Sequence, residues 1–263
     1  MAIASSLKLA YGNQPSQFGM LRLPDTSGKY PVVITIHGGF WKAEYGLEEI
    51  SPLDEDLTKR GYATWNIEYR RVGEPGGGWK GTFHDVVDSV NFLSQLEKDF
   101  PLDLSRVVVI GHSAGGHLAL WLASRTNNPN QDKMDGLLQI PIKGVISLAG
   151  VSDLERMWEI DAQNGIVSPV ANLMGGTPKE YPDRYRFASP IDQLPVRIPQ
   201  ILIHGDLDED VPAELSLKYY HRAIDLNDQV DLKILAKTDH FMLIDPLSTA
   251  WQSAIDSLNK LVY

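Results

Sequence analysis

Cysteine is absent from all 263 residues, which excludes disulfides, thiolate metal sites and a cysteine nucleophile together. A chain without thiols suits a reducing compartment. Basic residues are scarce as well: 24 Lys and Arg stand against 34 Asp and Glu, a formal charge of -10 at pH 7. So acidic a chain offers no patch for phosphate backbones, and nucleic acid is not an expected partner. No apolar run approaches the ~20 residues of a membrane span. The opening MAIASSLKLAYGNQPSQ lacks the basic start and apolar centre of a secretory signal. The histidines show no His-Glu-x-x-His spacing, so neither a metal nor another cofactor is expected. A cytoplasmic protein without a membrane partner is the expectation, and no feature of the sequence sets an oligomeric state.

What remains is ordinary in amount, 43% apolar and 22% charged, but ordered in its arrangement. Apolar, β-branched runs recur at Pro31 to Ile36, Tyr62 to Ile67, Arg106 to Ile110, Ile142 to Leu148, Gln200 to Ile203 and Val230 to Leu235. Several are continuous rather than alternating, the pattern of strands buried on both faces of a parallel sheet. Between them lie amphipathic stretches, Glu48 to Arg60, Asp85 to Asp99, Pro212 to Leu226 and Leu247 to Leu261. Strands alternating with helices predict a doubly wound, mostly parallel α/β sheet. No repeat, low-complexity tract or linker divides the chain, so one domain is expected over 1–263. Ser152 to Pro195 breaks the rhythm with a Gly175-Gly176 pair, several prolines and scattered aromatics. A connection this long is a candidate lid or binding insertion.

The seam at Val107 to Ala123, VVVIGHSAGGHLALWLA, carries the chemistry. Ser113 stands in Gly111-His112-Ser113-Ala114-Gly115, after a buried strand and before a helix. Flanking glycines let the backbone bend sharply and lift the hydroxyl above the sheet. The helix that starts there aims free N–H groups and its positive end at the same point, which suits a developing oxyanion. A serine hydroxyl needs a base, and the base needs an orienting acid. In this elbow the chain order is serine, acid, histidine.

Downstream, the strand at Gln200 to Ile203 runs into His204-Gly205-Asp206-Leu207-Asp208-Glu209-Asp210, at the sheet edge where ligands bind. Four acids crowd this loop, and spacing alone does not choose among them. One helix and one strand later, Lys237-Thr238-Asp239-His240-Phe241 supplies His240 as the base; His221 falls inside an expected surface helix. Asp239 is a poor acid for its own neighbour, since adjacent loop residues rarely point at each other. After the first strand, His37-Gly38-Gly39-Phe40-Trp41 offers bare backbone that can turn amides toward Ser113. His112 and His117 are read as local packing, and His37 and His204 as anchors of their loops. The glycine run Gly76 to Gly78 lacks the Gly-Lys-Ser/Thr ending of a phosphate loop. It reads as a mobile rim, with Trp79 and Phe83 near the pocket.

Together these residues resemble the α/β-hydrolase superfamily from about Tyr11 to the C-terminus. Gly-His-Ser-Ala-Gly-Gly matches its nucleophile elbow, and His-Gly-Asp-Leu-Asp-Glu-Asp-Val-Pro is similar to its acid loop, which carries the acid role onto Asp208. Thr-Asp-His-Phe lacks the glycines usual in the histidine loop, but its position agrees with His240. His-Gly-Gly-Phe-Trp is similar to the motif of arylformamidases (kynurenine formamidases) and of small bacterial acetyl and feruloyl esterases. By analogy the oxyanion amides would be those of Gly39, Phe40 and Ala114. The resemblance implies a Ser113–His240–Asp208 acyl transfer on a small-molecule ester, with an aryl formamide as the alternative substrate. Trp41, Trp79, Trp158 and Phe241 are candidate pocket residues. A ligand-binding protein on the same fold is a third reading, opposed by the presence of serine, acid and histidine together.

Overall fold

The structure is a computed structural model and describes residues 6–126 and 138–263. The apolar runs expected as strands form Tyr30–Ile36 (β3), Ala63–Ile67 (β4), Leu102–His112 (β5), Gly144–Leu148 (β6), Gln200–Gly205 (β7) and Val230–Leu235 (β8). Ahead of them, Ser6–Ala10 (β1) and Phe18–Arg22 (β2) form an antiparallel pair that sequence reading passed over. The eight strands lie in the order β1-β2-β4-β3-β5-β6-β7-β8, parallel from β4 to β8. Every residue of β3, β4, β6 and β7 is buried, which is why these runs carry no polar alternation. β1 is largely exposed at the sheet edge, so it left no such signal.

Side chains of one strand point alternately to the two faces. Val32, Ile34 and Ile36 enter one core, where Val86 of Gly81–Asn91 (α2), Leu118 of Ala114–Ala123 (α4) and Leu215 of Glu214–Asp225 (α8) meet them. Val33 enters the other, with Leu53 and Leu57 of Ser51–Lys59 (α1) and Trp251 and Ile255 of Thr249–Val262 (α9). Helices therefore cover both faces of the sheet. The single helix expected over 48–60 starts as a 3₁₀ turn, Leu47–Glu49, because Pro52 opens a fresh helix at Ser51. The helix expected over 85–99 starts earlier, at Gly81, and its last part separates as Leu93–Leu96 (α3).

Between β6 and β7, residues 152–195 fold into Leu154–Gln163 (α5), Pro169–Met174 (α6) and Pro182–Ala188 (α7). After β3 the chain crosses to β4 on one side, and after β4 it returns to β5 on the other. The loops following β3 and β5 thus diverge at a switch point, where an open α/β sheet forms its binding crevice. No helix among the described residues is long and apolar enough to cross a membrane.

Candidate active site

Ser113 sits at φ 54° and ψ -117°, a strained conformation for a residue with a Cβ. Its N–H donates to the Leu148 carbonyl at 2.9 Å, and α4 begins at the next residue. The glycines explain the tightness of the turn. A Cβ on Gly115 would lie 2.0 Å from the Ile36 carbonyl oxygen, and one on Gly111 would lie 2.1 Å from the Gly115 oxygen. All ten residues of α4 are buried, so the elbow is driven into the core rather than perched on it.

The loop after β3 reaches the same point. Gly39, Phe40 and Trp41 all take positive φ, at 88°, 55° and 56°, closed by a bond from the Lys42 N–H to the Gly39 carbonyl at 2.9 Å. A Cβ on Gly38 would stand 3.1 Å from the Ser113 Cβ, so loop and serine are in close apposition. The amides of Gly39, Phe40 and Ala114 have no hydrogen-bond partner among the described residues. Gly38 differs: its N–H donates to Glu49 Oε2 at 2.9 Å. Glu49 escaped the sequence reading because only the fold brings its 3₁₀ turn beneath this loop. His37 anchors the loop from below, bonded to Glu68 at 2.8 Å and to the Gly38 carbonyl at 2.9 Å, and stacked on Tyr69.

Beyond β7 and β8, Asp208 and His240 meet. His240 Nδ1–H donates to Asp208 Oδ2 at 2.6 Å. The N–H groups of Val211 and Asp210 reach Asp208 Oδ1 at 2.8 and 3.0 Å, and His204 Nε2 lies 3.3 Å from Oδ2. Burial opposes ionisation of Asp208, yet the bonds from His204 and His240 and the charge on His240 hold its carboxyl well below the usual range. Of the four acids in the loop, Asp208 is the one hydrogen-bonded to His240. Asp239 instead accepts from the Phe241 and Met242 amides at 3.0 and 2.8 Å. The ring of His112, beside Ser113 in the chain, lies 4.4 Å from that of His240, and its Nε2–H donates to the His240 carbonyl at 3.1 Å. Burial, then the charge of His240, depress His112 to about 3, so it stays neutral while it holds the His240 backbone. The Ser113 hydroxyl itself forms no hydrogen bond among the described residues.

Ser113 and Ala114 open into a pocket of about 310 Å³ lined by Phe40, Trp41, Met157, Asp161 and Val211. Three expectations for this pocket are corrected. Trp79 turns instead into an edge-to-face cluster with Phe83 and Phe187, and Phe83 is 1% exposed, a core residue rather than a rim. Trp158 packs against the same core, and Met157 beside it faces the pocket. Phe241 covers the His240 ring edge-on from outside, 59% exposed. Asp208, Asp210 and His240 bring one potential metal ligand each within 4.8 Å, and His240 Nδ1 is bonded to Asp208.

Trp41 is tied in by its indole N–H, which donates to His117 Nδ1 at 3.2 Å, while His117 Nε2–H donates to the Ala188 carbonyl at 3.0 Å. Burial holds His117 down to about 4 from the usual 6.5. A base with a depressed folded-state pKa contributes stability that is present above 6.5 and lost as pH falls toward about 4. His117→Gln, which can keep both bonds, is expected to flatten the fall of unfolding free energy over that window by about 1.4 kcal/mol per pH unit. Denaturant melts across the window check this; an unchanged slope would contradict it.

A family model described as BD-FAE matches residues 21–222, a span that takes in Ser113 and Asp208 and ends before His240. Among curated proteins, the uncharacterized peptidase YtmA of Bacillus subtilis is 24% identical over 216 residues, covering 79% of this chain and 77% of that protein. Esterase LipC of Mycobacterium tuberculosis is 26% identical over 223 residues, covering 82% of this chain and 54% of that one. The chain spans about half the length of the mycobacterial esterases it matches. Among solved structures, esterase B of Lactobacillus rhamnosis superposes with a TM-score of 0.84 at 21% identity, over 98% of this chain and 85% of that one. A truncated carbohydrate esterase from gut microbiota gives 0.82 at 21% identity, over 99% and 97%. The fold is thereby the α/β-hydrolase fold.

Proposed function

Since the chain belongs to the BD-FAE family, we propose that it is a serine carboxylesterase for small-molecule esters, with Ser113 as nucleophile, His240 as base and Asp208 as orienting acid. The observation that carries this reading is the convergence on one sheet edge of a strained Ser113, amides without a partner among the described residues and a His240–Asp208 bond of 2.6 Å. Esterase names among the relatives and structural neighbours support it.

In this mechanism His240 Nε2 takes the Ser113 proton as Oγ attacks the ester carbonyl. The amides of Gly39, Phe40 and Ala114 receive the oxyanion, each worth ~3 kcal/mol of barrier. Collapse of the tetrahedral adduct expels the alcohol, which leaves with the proton from His240. Water then attacks the acyl-enzyme by the same route, releasing the acid and restoring the serine. The Ser113–His240 bond closes with substrate in place, as is common where the free enzyme holds these groups apart. Residues 152–195 act as a cap over the acyl pocket within a single catalytic domain.

Glu49 sets the hole by occupying the Gly38 amide and leaving those of Gly39 and Phe40 for substrate. Glu49→Ala is expected to lower kcat by roughly tenfold, the loss of one charge-assisted bond, with KM little changed. Glu49→Gln, whose carbonyl can accept the same N–H, restores most of it. A change confined to KM would speak against this role.

The substrate class is tested by hydrolysis of p-nitrophenyl acetate, p-nitrophenyl butyrate and N-formylkynurenine in parallel. A pocket of about 310 Å³ beside Ser113 is far larger than a formyl group needs, so the esters are expected to dominate in kcat/KM. Dominance of the formamide would replace the ester reading with an arylformamidase.

A further inference from the structure

Within the serine pocket one group is unaccounted for by the acyl-transfer steps. Asp161, on α5, is only 4% exposed, yet its carboxyl lines the pocket that Ser113 and Ala114 open into. One oxygen accepts from the Ser168 hydroxyl at 2.6 Å. Its other oxygen has no hydrogen-bond partner, and no cation lies within 4.0 Å, among the described residues. That second oxygen is open to the pocket rather than sealed, while burial of the carboxyl raises its pKa against the lowering effect of Ser168. A carboxyl with a shifted pKa on the wall of a cleft is a candidate for contact with a ligand.

The rest of the pocket indicates what kind of ligand. Glu209 and Asp210 add two further carboxylates to the wall, neither in an ion pair among the described residues. Among the described residues Lys42 is the one cation on the lining, and its ammonium lies 5.6 Å from the Phe40 ring centroid. The formal balance of the lining is therefore three negative charges against one positive. Phe40 lines the same space and offers a ring to which a cation is attracted, while Trp41 is 2% exposed with its indole tied to His117. Met157 and Val211 leave the remainder apolar.

We infer that this pocket selects esters that carry a positively charged nitrogen, received by Asp161 against an aromatic and apolar wall. The inference rests on the carboxylesterase reading above and names its substrate class. The cation sits a few bonds from the scissile carbonyl, on the acyl or the alcohol side. Asp161 takes no part in proton transfer; it fixes which esters are held against Ser113.

The test uses two pairs of esters that differ only in replacing a quaternary nitrogen by carbon. Acetylthiocholine against S-(3,3-dimethylbutyl) thioacetate places the charge on the alcohol side. p-Nitrophenyl 4-(trimethylammonio)butanoate against p-nitrophenyl 5,5-dimethylhexanoate places it on the acyl side. In at least one pair the wild type is expected to favour the cation by about tenfold in kcat/KM, a preference that falls to near one in Asp161→Asn and is kept by Asp161→Glu. Because both members are measured on one preparation, the ratio does not depend on how much of a variant folds. A wild-type ratio at or below one in both pairs overturns the inference, as does a preference that Asp161→Asn leaves intact. If no ester of either pair is turned over in a Ser113-dependent way, it is the carboxylesterase reading that has failed.

Discussion

Ser113→Ala is expected to lower kcat on p-nitrophenyl butyrate by 10⁴-fold or more, on the order of what serine hydrolases lose with their nucleophile. Folding should be spared, because alanine keeps the same Cβ at φ 54° and the change removes only one oxygen. The Ser113 hydroxyl forms no hydrogen bond among the described residues, so its loss leaves no buried partner there unpaired. A variant with a near-normal melting temperature and this deficit separates chemistry from structure. Retention of more than about a tenth of wild-type turnover would remove Ser113 from the mechanism, since a missing nucleophile cannot be a minor loss.

Asp208→Asn is expected to cost about 10⁴-fold in kcat, for a different reason. The carboxylate takes its proton-bearing partner at His240 Nδ1, which leaves Nε2 with a lone pair for the Ser113 proton. An amide presenting its NH₂ to Nδ1 reverses that tautomer and makes Nε2 the protonated nitrogen. Asp208 also accepts the Val211 and Asp210 amides through its other oxygen, bonds the asparagine carbonyl can keep. The expected signature is therefore a large kcat loss with the acid loop intact, seen as an unchanged far-ultraviolet spectrum and a modest fall in melting temperature. Asp206→Asn and Asp239→Asn supply the comparison, because neither carboxylate bonds to His240. A loss of the same size in either would move the acid role away from Asp208.

Why some of this was legible in the sequence follows from how local each feature is. The elbow, the acid loop and the histidine loop each lie at the end of a buried strand, so hydrophobic runs and a few glycines located them by number. The choice of Asp208 among four neighbouring acids came only from resemblance; in the structure it depends on a side-chain direction set by the Val211 and Asp210 amides. Glu49 and Asp161 carried no signal, because one reaches the β3 loop and the other the serine pocket only through tertiary packing. Trp79 misled for the opposite reason. A glycine-rich approach reads as an exposed rim, yet the ring is drawn into contact with Phe83 and Phe187. The edge strand β1 was missed because a strand exposed along most of its length has no buried face to write a pattern.

The most direct test of the account is reaction with an organophosphate such as paraoxon, followed by intact mass measurement and peptide mapping. An activated serine beside a formed oxyanion hole is expected to take one diethyl phosphoryl group per chain, on Ser113, with p-nitrophenol released in equal amount and esterase activity lost in step. Ser113→Ala should take none, and Asp208→Asn should react far more slowly. Absence of an adduct on the wild type, or an adduct on another residue that accompanies the loss of activity, would contradict the claim that Ser113 is the nucleophile and would reopen the reading of this fold as a ligand-binding protein.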